Sequence, residues 1–82
     1  MKKQEVMKSL CKVARQKVNQ KEGLYTFDYK LEGKDRTFSC FVGPKDTLEE
    51  RLSETLDNIS NLHKNKEMSD FTFRTFQKMG GK

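Results

Sequence analysis

The chain has no tryptophan, one proline, one histidine and two cysteines in 82 residues. Each scarcity closes off a class of function. One histidine and two distant cysteines, Cys11 and Cys40, lack the ligand spacing of a structural zinc site and cannot build a disulfide framework. The expectation is two buried free thiols, no metal and no other cofactor. No stretch approaches the roughly 18 consecutive apolar residues of a membrane span. Near the N-terminus Glu5, Lys8 and Lys12 interrupt any apolar signal core, so the protein is expected to be cytoplasmic and not membrane-inserted.

Catalytic signatures are equally sparse. Gly43-Pro44 lacks the further glycines and the lysine of a phosphate-binding loop, and no serine sits in a nucleophile-elbow context. Cys40 with His63 is the one conceivable thiol–imidazole pair, but Cys40 falls on the inner face of a predicted strand. The chain is therefore expected not to be an enzyme. Core-forming residues are also few, with 18 of 82 being Leu, Ile, Val or Phe and a mean hydropathy of -0.94. That composition suits one small, thin-cored domain over residues 1–82, with 1–4 and 79–82 frayed. A chain this short without disulfides or metal invites self-association, so a homodimer is a plausible state.

Charge is abundant and segregated. The net charge of +5 hides a first quarter, residues 1–21, with seven basic groups against one acid. Residues 46–58 carry five acids against one arginine. Such segregation reports partners or self-complementarity more than fold.

The first segment has helical spacing. Val6, Met7, Leu10, Cys11, Val13, Ala14 and Val18 share one side, and Lys8, Lys12 and Arg15 gather on the other, with Gly23 as a candidate stop. Lys8, Lys12 and Arg15 suit phosphates or an acidic partner, though a solvated polar face accounts for the same residues.

Residues 24–32 and 36–42 alternate as two half-buried strands. A turn at Gly33-Lys34 would pair Tyr29 with Phe38, Phe27 with Cys40, and Tyr25 with Val42, all on one face. Phe41 falls on the opposite face, near Thr26. A second helix follows Gly43-Pro44, opened by a capping box of Thr47 and Glu50. Leu48, Leu52, Leu56, Ile59 and Leu62 form its apolar stripe. Glu50, Glu54 and Asp57 lie opposite, either solvated or as a docking face for a basic partner such as the first helix of another copy.

Residues 63–70 read as a loop. For 71–78, phenylalanine and threonine favour a strand, whereas Phe73, Phe76 and Met79 with Gly80 as a stop suit a helix. As a strand, Phe71 and Phe73 face inward, while Thr72, Arg74 and Phe76 face outward. Phe76 would then be an exposed aromatic beside Phe41, the two either completing a second small core or a dimer contact or offering a surface on which bases can stack.

The elements define an α+β fold: helix, β-hairpin, helix, then a short third strand or helix, with the helices packed on one face of an antiparallel sheet. A third strand would pair beside the first. The function expected is that of a non-enzymatic small regulatory protein working through protein–protein contacts, as a modulator or inhibitor of a larger cellular or nucleic-acid-handling machine. The alternative is direct RNA or DNA binding through Lys8, Lys12, Arg15 and Arg74.

Overall fold

The computed structural model describes residues 2–19 and 22–78. Its elements are α1 (Lys3–Lys17), β1 (Gly23–Leu31), β2 (Lys34–Val42), α2 (Leu48–Leu62) and β3 (Met68–Gln77). The strands form one antiparallel sheet in the order β2-β1-β3, so the third strand pairs beside the first. Both helices lie on one face of this sheet, and residues from all five elements close a single core. The last segment is a strand, and it opens three residues before Phe71: Met68 is buried, so the connecting loop is shorter than 63–70. Helix α1 takes in Lys3 and Gln4, which were expected to fray, whereas residues 79–82 lie outside the described residues.

The hairpin pairs Tyr25 with Cys40, Phe27 with Phe38 and Tyr29 with Arg36, two residues away from the expected register. Its turn is Glu32-Gly33, with φ of 53° and 81°. Two consecutive positive φ values are what a tight hairpin turn needs to match strand twist, and they displace the turn by one residue. Because the pairing moves by two, every inner residue stays inner. Phe41 now faces Leu24, while Thr26 meets Ser39 through a 3.0 Å hydroxyl contact.

Helix α1 ends at Lys17, well before Gly23. Gly23 instead opens β1, where the Phe76 ring occupies the space a Cβ would need. Helix α2 starts as expected: the Thr47 hydroxyl accepts a hydrogen bond from the Glu50 amide at 3.1 Å. Its stripe buries Leu48, Leu52 and Leu56, but Leu62, expected to be apolar-facing, is 75% exposed at the helix end.

Strand β3 carries two irregularities against β1, one at Thr26/Phe27 and one at Asp28/Lys30. At the first, Phe27 pairs Phe73 while Thr26 pairs Thr75, so Arg74 is an extra residue. An inserted residue reverses the alternation that follows it. Phe76 therefore turns inward, against expectation, and packs edge-on to Tyr25 with ring centroids 4.8 Å apart. Phe71, Phe73 and Phe76 all join the core, which removes the expected outward aromatic pair.

Candidate binding site

The two helices are antiparallel neighbours, with Lys3 bonded to Asp57 at 2.8 Å and Arg15 paired with Glu49. These pairs answer part of the charge segregation within one chain. Arg15 is engaged by Glu49, Asp57 by Lys3, and Glu54 by Arg51 at 2.9 Å. Of the expected acidic docking face, Glu50 alone makes no ion pair with the described residues. The acidic stripe thus works largely as an internal complement, and its exposed pairs contribute only ~0–1 kcal/mol each.

The basic stripe stands differently. An open groove of about 930 Å³ runs along α1, lined by Met7, Lys8, Cys11, Lys12 and Arg15 and reached from α2 by Glu49. Half-buried Met7 and buried Cys11 supply an apolar floor. Lys8 and Lys12 rim it, exposed and without an ion-pair partner among the described residues. Helical periodicity explains the arrangement: positions 8, 12 and 15 stack on one side, and 7 and 11 lie between that side and the buried stripe. The groove's acids are Glu5 and Glu49, the latter already matched by Arg15. The arrangement can hold a partner that is apolar on one side and acidic at its edge.

Arg74, grouped with these cations in the sequence reading, lies on β3. Its guanidinium donates to both Asp28 carboxylate oxygens, at 3.2 and 3.3 Å, on the open face of the sheet. Asp28 also accepts from the Thr37 hydroxyl at 2.9 Å, so one carboxylate links all three strands. Lys30 and Asp35 bond beside it at 2.8 Å, which raises the lysine pKa and lowers that of the carboxylate. Phe41 is 41% exposed, as expected, and sits on β2, with β1 between it and β3.

The thiol–imidazole pair does not form. His63 Nε2 lies 3.3 Å from the Tyr29 hydroxyl, and Cys40 is buried in the core. Burial pushes the Cys40 thiol up to about 11, with Arg51 opposing and Cys11 adding to the rise. Burial likewise raises the Cys11 thiol, against the nearby Arg15. Neither sulfur is a ready thiolate at neutral pH. Among the described residues no group of three or more His, Cys, Asp or Glu side chains could hold a metal ion. No described helix is long and apolar enough to cross a membrane.

Arg51 is a residue that pattern reasoning passed over. Its Nε donates to the Phe41 carbonyl at 3.0 Å and ties α2 to the end of β2. Nothing in helical or strand periodicity marks it, because the bond depends on how helix and sheet are superposed. The chain matches no protein-family model, no curated protein and no solved structure.

Proposed function

We propose that this protein is a non-enzymatic binding module that acts by seating an acidic, amphipathic segment of a partner protein in the α1 groove. The observation that carries the reading is the combination of an apolar floor, Met7 and Cys11, with the cations Lys8 and Lys12 on its rim, which have no ion-pair partner among the described residues. Apolar contact supplies the affinity of such a seat, and rim charge supplies orientation and association rate. A phosphate backbone has no use for the apolar floor, so a protein ligand is favoured over a nucleic acid. A module of this kind regulates by occupancy, as a modulator or inhibitor of a larger assembly. A reducing compartment such as the cytoplasm suits its two free thiols.

The test is fluorescence anisotropy with a labelled amphipathic helical peptide bearing glutamates beside its apolar stripe. Its glutamine counterpart and a 20-nucleotide single strand serve as controls. The acidic peptide is expected to bind, and Lys8→Glu with Lys12→Glu to weaken it at least tenfold, while Glu50→Lys leaves it unchanged. Arg15 is left in place because its loss also frees Glu49. Oligonucleotide binding tighter than peptide binding, with an affinity falling steeply with salt, would replace this reading by the nucleic-acid one.

A further inference from the structure

The sheet has two edges, and they are built differently. The β3 edge is broken by two bulges, and Asp70 there has a φ of 55°. Bulges blunt an edge against further pairing. The β2 edge is regular from Lys34 to Val42 and has no strand beside it among the described residues. In a two-residue hairpin the residues flanking the turn, Leu31 and Lys34, exchange hydrogen bonds, and such pairs alternate along the ladder. The amide of Glu32 accordingly reaches the other way, to the Glu67 carbonyl at 2.9 Å. In β2, then, Lys34, Arg36, Phe38, Cys40 and Val42 face β1, and Asp35, Thr37, Ser39 and Phe41 turn their backbone groups outward. The Phe41 carbonyl is already met by Arg51. The open rungs are Asp35, Thr37 and Ser39, and they are centred on Thr37.

We propose that the β2 edge pairs antiparallel with the β2 edge of a second copy, on a two-fold axis at Thr37, to make a continuous six-stranded sheet. The register follows from the open rungs: Thr37 opposes its own counterpart, and Asp35 opposes Ser39 in both directions. This uses every outward rung and stops where Arg51 closes the Phe41 carbonyl. No like charges fall opposite one another.

Two further observations select a second copy as the occupant. The two exposed large hydrophobics among the described residues, Phe41 and Leu62, both border this edge. Leu62 lies three helical turns beyond Arg51, hence on the side of α2 that reaches β2. The pairing also carries Lys34 and Arg36 of each copy opposite Cys40 and Phe38 of the other. That is the face covered by α2, on which Glu50 is exposed and makes no ion pair with the described residues. The pairing thus brings a basic strand end beside the helix that carries the unpaired acid, in both directions. The surface is separate from the α1 groove, so the dimer stands or falls independently of the partner proposed there.

Sedimentation velocity of the full chain from 1 to 500 μM tests the pairing. The expected result is a reversible monomer–dimer equilibrium for the native sequence. Thr37→Pro removes an outward amide and leaves the backbone ladder to β1 in place, although it also deletes the hydroxyl bond to Asp28. It should raise the dimer dissociation constant at least tenfold with the circular dichroism spectrum retained, and Thr37→Val, which loses the hydroxyl alone, should leave the constant unchanged. In parallel, Thr37→Cys places two thiols on a hydrogen-bonded rung, about 5.5 Å apart at Cα, within disulfide reach. It should cross-link quantitatively on mild oxidation, whereas Asp35→Cys should not. A native chain that stays monomeric throughout overturns the proposal. A dimer that leaves Thr37→Cys uncross-linked overturns it as well, and that result holds even where the proline variant fails to fold.

Discussion

The inward turn of Phe76 at the Arg74 bulge sets an order of aromatic contributions that can be measured. Phe27 is fully buried on the central strand, stacked on Phe38 at 5.2 Å and edge-on to Phe73 at 5.6 Å. Truncating such a residue to alanine costs ~3–5 kcal/mol in lost transfer energy and cavity. A chain of 82 residues has a total stability of order 4–12 kcal/mol at ~0.05–0.15 kcal/mol per residue. Phe27→Ala should therefore take from about a quarter to all of that stability, and Phe27→Leu, at about 1–2 kcal/mol, is the measurable variant at any point in that range. Phe76 is half-buried on an edge strand against Tyr25 and Gly23. Phe76→Ala should cost about 1–2 kcal/mol, roughly half of a full burial. Phe41→Ala, at an exposed position, should stay within ~0.5 kcal/mol. Urea unfolding at low micromolar concentration, followed by far-ultraviolet circular dichroism, reads all four. The order Phe27, Phe76, Phe41 is the test. Phe76→Ala costing no more than Phe41→Ala would refute the parity reversal at Arg74, and with it the aromatic core of β3.

Two other perturbations follow from local geometry. The raised Cys40 thiol gives an alkaline signature. The unfolded chain releases this proton near the ordinary value of 9.0, whereas the fold holds it to about 11. Stability is thus complete below pH 9 and declines as pH rises through that window, by at most about 3 kcal/mol at ~1.4 kcal/mol per unit. Cys11 and Tyr25, both raised by burial, act in the same direction. Thermal melts at pH 8 and 10.5 should show a smaller alkaline loss for Cys40→Val than for the native chain, and equal losses would assign the effect elsewhere. At the hairpin, Glu32 holds a φ of 53° that a residue with a long side chain adopts at a cost. Asparagine tolerates it, so Glu32→Asn should stabilise by about 0.5–1 kcal/mol, seen as a rise of several degrees in Tm. A lower Tm would mean that the 3.4 Å bond from the Glu67 amide to the Glu32 carboxylate outweighs the turn.

How much of this protein could be read without its structure depended on the range of the forces involved. Helix α1, the hairpin and the Thr47 cap rest on interactions within a few residues, so periodicity and capping chemistry located them. The pairing of β3 beside β1 followed from topology once that segment was taken as a strand. The face of each β1 and β2 residue was also legible, because a register displaced by two leaves parity intact. The exact turn was not, since glycine suits either Glu32-Gly33 or Gly33-Lys34, and only strand twist chooses between them.

Tertiary packing decided the rest. The bulge at Arg74 has no local signal: it arises where β3 must bring Phe71, Phe73 and Phe76 against one core, and it moved Phe76 from the open face to the buried one. The two charge stripes were visible as stripes, but sequence could not say that Arg15 would be matched by Glu49 and Asp57 by Lys3. Those pairings need the helices side by side and antiparallel. The same superposition left Lys8 and Lys12 without an ion-pair partner among the described residues, over Met7 and Cys11, and set Arg51 on the Phe41 carbonyl. Sequence determined which residues were charged, apolar or able to turn. Long-range geometry determined which charges are answered within the chain, and so which ones the proposed partner would have to meet.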